Sequence, residues 1–221
     1  MEFDWSIIGP DNWERMRNFL IPGLFFSIKL TFFATLGGIF FGMHLALMRL
    51  SKFKFLQWPA KLYVDFIRSI PLMMVLFFFY IGATALGVEK SAYITFIVFE
   101  AAYFSEIVRA GIQSVPKAQF SASVAMGMSY WQTMHHIILP QAFRNMIPVF
   151  LTQVIVLFQD TSLVYVMGAT DLLKGFEQTG GGLGGFRKVE AYILAAVTYF
   201  VICFTLSKIA QAYQKRIAII R

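Results

Sequence analysis

The sequence predicts an all-α polytopic membrane protein with five transmembrane helices and a helical connector outside the bilayer. Three observations support this prediction. Hydrophobic residues make up 58% of the 221 positions and charged residues only 14%, whereas soluble domains are about half apolar and about a quarter charged. Several apolar segments reach the roughly 20 residues that a helix needs to cross a bilayer. Basic residues collect in alternate connectors, which is typical of membrane proteins with a fixed orientation.

The apolar segments form one membrane domain over residues 1–221. The second segment is uncharged over residues 69–88, two glutamates interrupt the third, and the fourth has a single charge, Asp160. The fifth is short but uncharged over residues 191–207. The predicted spans are roughly residues 20–48, 63–88, 91–110, 145–170 and 190–213.

The charge pattern predicts the orientation of these spans. The first and third connectors contain basic residues and no acid, and positive charge marks the cytoplasmic side. The acidic amino terminus is therefore expected in the periplasm and the carboxyl terminus in the cytoplasm, which makes residues 114–141 cytoplasmic. The loop of residues 171–190 is the exception, because it has three basic residues beside three acids on the expected outer face. The connector cations are Arg49, Lys52, Lys54 and Lys61 in the first, and Arg109, Lys117 and Arg144 in the third.

The long connector at residues 114–141 has the signals of two short helices. Residues 118–126 are good helix formers, and Gly127 can adopt the left-handed conformation that ends a helix. Ser129 with Gln132 three positions later fits a capping box that opens a second helix. That helix would present Tyr130, Trp131, Met134 and His135 before Pro140 ends it. The aromatic side chains could be buried by a partner protein or could pack against the protein's own bundle.

The spacing within this connector resembles the EAA signature of ABC importer permeases. The signature reads EAA, three residues, Gly, nine residues, Ile, one residue, Leu-Pro. Ser121 stands where the signature has its glutamate, and Ser123 where it has its second alanine. In that family the short helix after the glycine is the coupling helix, which inserts into a groove on the ATP-binding subunit. The resemblance implies this role for residues 129–136, including Ser129, Trp131 and His135. The matching positions are Ala122, Gly127, Ile137, Leu139 and Pro140.

Further segments extend the resemblance over essentially the whole chain. "RSIPLMMVLFFFY", "FEAAYFSEIVRAGIQS" and "LFQDTSLVYV" resemble the polar amino-acid permeases, and together with the opening "EFDWS" they are most similar to glutamate/aspartate importers of Gram-negative bacteria. The resemblance implies the type I ABC importer permease fold with a cytoplasmic coupling helix, located in the cell inner membrane. It implies a permease subunit that moves a polar amino acid, glutamate or aspartate, by alternating access.

The same resemblance implies the partners. These are a dimer of ATP-binding subunits, which carry the ATP and Mg, a second permease that is homologous or identical, a periplasmic amino-acid-binding protein and membrane lipid. The chain is not expected to be an enzyme, because it contains no G-x-x-x-x-G-K-[ST] motif for ATP. It is expected to bind no cofactor, metal or nucleic acid. Adjacent His135 and His136 point about 100° apart on a helix and have no accompanying cysteine or carboxylate.

Polar residues within the apolar spans are candidates for the substrate pathway, because ionisable groups at membrane depth usually face a cavity or a partner. Asp160 is followed by Thr161 and Ser162, and it lies two helical turns after Gln153, so the two side chains share a face. A carboxylate and an amide placed there could hold the ammonium and backbone groups of an amino acid. The alternative is that Asp160 caps a broken helix or bonds a neighbouring span.

Two further polar residues are candidates. Arg68 next to the helix-breaking Pro71 could offer a cation to an anionic substrate, or it could form an interfacial pair with Asp65 three positions earlier. Glu100 is the better cavity candidate of the third span, because Glu106 is expected to pair with Arg109.

Two other functions remain to be weighed. A stand-alone secondary transporter usually has paired repeats, which five unlike spans do not form, and uptake driven by an ion gradient alone would support it. A membrane enzyme would need Asp160, Glu100 and His44 together, which nothing in the sequence indicates.

Overall fold

The computed structural model describes residue 14 and residues 16–82, 84–180 and 186–218, and every regular element among them is helical. A π turn, Met16–Leu20, leads into the first long helix, and short 3₁₀ segments precede α4 and follow α7. The helices are α1 (Ile21–Leu50), α2 (Lys54–Arg68), α3 (Leu72–Gly82), α4 (Gly87–Gln113), α5 (Lys117–Ala125), α6 (Tyr130–Thr133), α7 (Leu139–Asp160), α8 (Leu172–Gly180) and α9 (Phe186–Ala218).

The described helices supply five candidate spans. Four helical stretches are long and apolar enough to cross a membrane, and α2 and α3 pass the same test as a bent pair, which makes a fifth candidate if the pair is one span. The pair bends by 103°, and α2 ends where Ser69 N–H bonds the Phe66 carbonyl at 3.1 Å. Pro71 cannot continue the helix because it has no N–H to donate. The predicted five-span helical fold is therefore confirmed, and the second span breaks at the predicted place. The four single stretches are Met16–Leu50, Thr84–Gln113, Tyr130–Met167 and Val189–Lys215.

The chain forms two compact units. The first unit comprises Met1–Thr35, Leu72–Phe96 and Val154–Ser207, and the second unit comprises Leu36–Pro71, Ile97–Gln153 and Lys208–Arg221. Each long span therefore contributes residues to both units along its length.

Within the first unit, α8 occupies part of the predicted loop of residues 171–190. Helix α8 packs against the π turn that precedes α1. Its close approach depends on glycine, because a Cβ at Gly175 would lie 2.8 Å from the Phe19 carbonyl oxygen. The sequence predicts an outer loop at residues 171–190. Residues 172–180 of that segment instead form a helix that belongs to this unit. The core of the unit is built by Phe158, Leu172, Phe176, Ala191, Ala195 and Cys203.

Within the second unit, α1 and α4 pack at very short distance. A Cβ at Gly42 would lie 2.8 Å from the backbone nitrogen of Ser105 and 2.9 Å from the carbonyl oxygen of Ala101. Small residues allow helices in a membrane to approach until their backbones are in contact. This packing brings the end of α1 beside the end of α4, where the charged residues of both helices meet. The apolar core nearby consists of Ala46, Val108, Val115, Ile138, Ala142 and Met146.

Candidate functional site

The connector of the second unit turns sharply at Gly127. Helix α5 ends there because Gly127 adopts φ +81, a conformation that costs an L side chain free energy. Gly127 N–H donates to the Val124 carbonyl at 2.9 Å, and Met128 N–H donates to the Ser123 carbonyl at 3.1 Å. These two bonds form a Schellman motif, which satisfies carbonyls that the helix end would otherwise leave unpaired. The predicted left-handed glycine corner is present.

Helix α6 begins with the capping box that the sequence predicts. Ser129 N–H donates to the Gln132 side-chain oxygen at 2.8 Å, and Gln132 N–H donates to Ser129 Oγ at 3.4 Å. Each residue satisfies a backbone N–H of the other. The direction in which α6 leaves the corner is therefore fixed on both sides, by the Schellman motif before it and by the capping box at its start.

The corner and α6 expose large apolar side chains. Trp131 is 79% exposed, Tyr130 is 57% exposed and Met126 is 83% exposed. We call these three residues the coupling surface. The Trp131 ring therefore does not pack against the protein's own helices. An exposed cluster of aromatic and methionine side chains has the composition of a protein interface.

The prediction that Pro140 ends the second helix is wrong. Residues 130–160 are helical without interruption, with a π turn at Met134–Ile138 and Pro140 in the first turn of α7. Leu139 N–H bonds the Met134 carbonyl, so the turn is one residue wider just before the proline. Proline in a helix interior removes a bond and clashes with the preceding turn, and a π turn absorbs that defect. The coupling surface therefore continues directly into a membrane helix.

The motif-matching residues divide into two groups. Ile137 and Leu139 flank the buried Ile138, and Ile137 packs against the core of the second unit. All the other positions, including Leu139, are exposed, and the His135 ring lies against the His136 ring with 5.0 Å between their centres. The exposed positions are Ser121, Ala122, Gly127, Ser129, Trp131, His135, Leu139 and Pro140.

Arginines surround Glu106 at the end of α4. Arg109 forms an ion pair with it, as predicted, and Arg49 Nη1 donates to Glu106 Oε2 at 2.6 Å. Arg68 Nη1 lies 3.8 Å from the same oxygen, while Asp65 lies 3.9 Å from Arg49 Nη2. The predicted Asp65–Arg68 pair is wrong, because packing against α1 and α4 supplies each residue with a different partner. Arg68 also lies over the Tyr103 ring, 5.2 Å from its centre.

Glu100 and Gln153 meet within the second unit. Glu100 is fully buried, and Gln153 Nε2 donates to its two carboxylate oxygens at 3.3 and 3.1 Å. A buried carboxylate needs hydrogen bonds to offset its desolvation. Sequence spacing associates Gln153 with Asp160 and not with Glu100, because residues on the same helix are the only neighbours that spacing reveals.

Asp160 is the last residue of α7, in the first unit, and its side chain makes no capping hydrogen bond to the 3₁₀ segment Thr161–Met167 that follows. Thr161 is fully buried and its hydroxyl donates to the Phe158 carbonyl at 2.7 Å, while Asp160 and Ser162 are partly exposed. The interpretation of Asp160 as a helix cap is therefore wrong.

Asp171 is a buried acid that the sequence analysis missed. Its carboxylate accepts the backbone N–H groups of Leu173 at 3.1 Å and Lys174 at 3.0 Å, so it caps α8. Burial raises the pKa of Asp171 to about 6, although these two N–H groups oppose the shift. The available signal was an aspartate directly before an apolar helical pattern.

Comparison with known proteins adds the family context of this arrangement. The sequence pattern of the family described as binding-protein-dependent transport system inner membrane component matches residues 38–219. The matched region includes the connector, Glu100, Gln153 and Asp160.

Individual relatives align over nearly the full length. The chain is 45% identical to the glutamate/aspartate import permease protein GltK of Escherichia coli O6:H1, over 98% of this chain and 99% of that protein. It is 34% identical to the L-cystine transport system permease protein TcyB of Bacillus subtilis, over 96% of this chain and 91% of that one. A crystal structure of an amino acid ABC transporter with histidines superposes with a TM-score of 0.87 at 30% identity, covering 98% of this chain and 99% of that one.

Proposed function

The chain belongs to the family of binding-protein-dependent transport system inner membrane components, and on that premise we propose that it is the permease of a glutamate/aspartate importer. As an ABC amino-acid importer permease it is a non-catalytic, multi-pass subunit of the inner membrane, and a separate subunit hydrolyses ATP. The family does not favour a stand-alone secondary transporter, because its members belong to binding-protein-dependent systems.

The observation that carries the coupling part of the proposal is the exposure of Trp131. Trp131 is 79% exposed, and its helix is held in place by the Schellman corner and the capping box. Leaving such a large apolar ring in water costs free energy. Burying such a ring contributes about 2–3 kcal/mol, and tryptophan is enriched among residues that dominate protein interfaces. We assign the coupling surface to the ATP-binding subunit, with Ser121, Ala122 and His135 at its edge.

The identity to GltK supports an acidic amino acid as the substrate. The level of 45% across the whole chain exceeds the 34% shared with a cystine permease. The substrate pathway would use Asp160, Thr161 and Ser162 of the first unit, where the carboxylate can accept a substrate ammonium group. Arg68, Glu100 and Gln153 of the second unit would be further residues of the pathway.

The remaining partners follow from the family. The complete importer would contain two ATP-binding subunits with their ATP and Mg, a second permease chain, identical or homologous, and a periplasmic amino-acid-binding protein. With the amino terminus in the periplasm and the carboxyl terminus in the cytoplasm, the coupling surface faces the ATP-binding subunit. Binding-protein release and nucleotide-driven closure would then alternate access to the pathway.

The test reconstitutes the chain with its ATP-binding subunit, second permease and binding protein in liposomes and measures uptake of labelled glutamate, aspartate and cystine. The proposal expects uptake of the two acidic amino acids, driven by ATP and dependent on the binding protein. Trp131→Ala should lower co-purification of the ATP-binding subunit and reduce uptake about tenfold or more, because it removes a central interface side chain.

The matched control is Trp58→Ala, which removes a tryptophan that is 68% exposed on α2 and should leave both readouts unchanged. Equal loss from both variants would contradict the assignment of the coupling surface. Uptake of cystine in preference to glutamate would contradict the substrate assignment while leaving the coupling assignment intact.

A further inference from the structure

Two cavities are lined by residues of α1, α2 and α4 in the second unit. One has a volume of about 180 Å³ and is lined by charged and amide side chains at the ends of the helices. We call it the cationic pocket. The other has a volume of about 340 Å³, and we call it the apolar cavity. The cationic pocket is lined by Arg49, Gln57, Lys61, Arg109 and Gln113.

The cationic pocket has more positive charge than its own acids neutralise. Three basic side chains line it, and two acids pair with them, since Glu106 binds Arg49 and Arg109 and Asp65 lies 3.9 Å from Arg49. Lys61 makes no hydrogen bond or ion pair with any residue that the structure describes. Arg49 uses Nη1 on Glu106, which leaves most of its five N–H donors without an acceptor in the described part of the chain. The pocket therefore has a surplus of one positive charge and a surplus of hydrogen-bond donors.

The apolar cavity is lined by the same three helices, and we call the two cavities together the groove. On α4 its lining residue Ala101 precedes Arg109 by eight positions, about 12 Å at 1.5 Å per residue. The two polar groups near this cavity are satisfied elsewhere, because Tyr63 donates to the Val98 carbonyl at 2.7 Å and His44 Nδ1 lies 2.7 Å from the Phe40 carbonyl. The groove is therefore charged at its mouth and apolar within. The apolar cavity is lined by Phe41, His44, Leu45, Met48, Tyr63, Ile97, Val98 and Ala101.

The mouth of the groove lies at the level where membrane spans end. The first span ends at Leu50, one residue after Arg49, which lines the cationic pocket. The third span ends at Gln113, which itself lines the pocket. Helix α2, which forms one wall, exposes Phe55, Trp58 and Phe66. Exposed aromatic residues at the ends of spans are typical of the boundary between hydrocarbon and headgroups.

We propose that this groove binds one anionic phospholipid, with its phosphate in the cationic pocket and an acyl chain in the apolar cavity. Basic pockets between transmembrane helices recognise anionic headgroups, and here an apolar cavity lies along the same three helices. A free phosphate would use the pocket alone and leave the cavity without a role. The bound lipid would hold the α1–α2 connector against α4 by supplying the negative charge that the arginine cluster lacks.

The experiment measures lipid binding to the intact importer complex, purified in a delipidating detergent, by native mass spectrometry. Phosphatidylglycerol, phosphatidylcholine and inorganic phosphate are titrated separately. We expect phosphatidylglycerol to bind in preference to phosphatidylcholine, with no competition from inorganic phosphate at equal concentration. Lys61→Gln should weaken phosphatidylglycerol binding about fivefold, since a basic residue near an anionic lipid contributes about 1 kcal/mol.

Two variants separate the two parts of the groove. Leu45→Trp fills the apolar cavity without a change of charge and should also lower phosphatidylglycerol binding. Lys52→Gln removes an exposed lysine of the same connector that does not line the pocket, and should leave binding unchanged. The thermal unfolding midpoint of each variant verifies that the fold is retained.

Three results would overturn the proposal. The first is phosphatidylglycerol binding that stays at the wild-type level in both Lys61→Gln and Leu45→Trp. The second is inorganic phosphate competing as well as the lipid, which would make the pocket a free-anion site. The third is a cross-link from a cysteine at position 45 to the second permease chain, which would show that the groove is covered by protein.

Discussion

Replacing Gly127 by alanine tests whether the left-handed corner sets the affinity for the ATP-binding subunit. An added Cβ would meet no atom within 4 Å, so the substitution causes no steric overlap with neighbouring residues. The only perturbation is the φ of +81, which an L side chain adopts at a cost in free energy. Gly82 offers a matched control, because its Cβ would also enter open space and its φ lies outside the left-handed region.

The expected magnitude follows from the left-handed conformation alone. It costs an L residue about 1–2 kcal/mol, which lowers the population of the correct corner about five- to thirtyfold. The apparent dissociation constant of the partner rises in proportion to that loss. Asparagine tolerates this conformation better than alanine, so the affinities should fall in the order Gly, Asn, Ala, Val. Gly82→Ala should stay within about twofold of the wild type.

The assay is the dissociation constant between the purified ATP-binding subunit and the permease held in lipid nanodiscs. Uptake of glutamate by the complete importer provides a second readout. The reasoning is refuted if Gly127→Ala and Gly127→Val bind as tightly as the wild type, or if asparagine is worse than valine. The latter order would show that side-chain size, and not backbone conformation, controls docking.

Asp160→Asn should reduce glutamate uptake at least tenfold while the complex still assembles, because the substitution removes a charge for the substrate ammonium; wild-type uptake would make the residue structural. Burial raises the pKa of Asp171 to about 6, so its stabilising protonated form is present below about pH 4 and lost as the pH rises through 6. The stability lost between these pH values is about 3 kcal/mol. Asp171→Asn should therefore remove the decrease of the thermal unfolding midpoint between pH 4 and 7. Glu106→Gln leaves Arg49 without its closest counter-charge and should cost about 1–3 kcal/mol, measured as a lower thermal midpoint; exposed Glu89→Gln should cost nothing measurable.

The connector was predictable from sequence because its signals are local. The glycine corner and the capping box each involve residues within five positions, so spacing alone specifies the bonds that form. The bend at Pro71 belongs to the same class, since a proline acts on the turn that contains it. The π turn before Pro140 shows the limit of local signals, because helix continuation depends on the core contacts of Ile137 and Ile138.

The ion pairs and buried polar contacts were less predictable. Arg49 and Glu106 are 57 positions apart and meet because glycines let α1 approach α4. Glu100 and Gln153 are 53 positions apart. No periodicity within one helix reveals which face of another helix lies opposite, so the spacing argument paired Asp65 with Arg68. Only the EAA-like spacing carried non-local information, and it did so through resemblance to a family.

The uninterrupted helix that starts at Tyr130 acts as a lever. From Tyr130 to Gln153 it is about 35 Å long at 1.5 Å per residue, and no loop along this length can absorb a displacement. A tilt of about 5° about one end moves the other end by about 3 Å on the same geometry. That displacement is as large as the 3.1 Å distance between Gln153 Nε2 and Glu100 Oε2. If the ATP-binding subunit moves Trp131 as proposed, the displacement at the far end is thus large enough to make or break the hydrogen bond between Gln153 and Glu100.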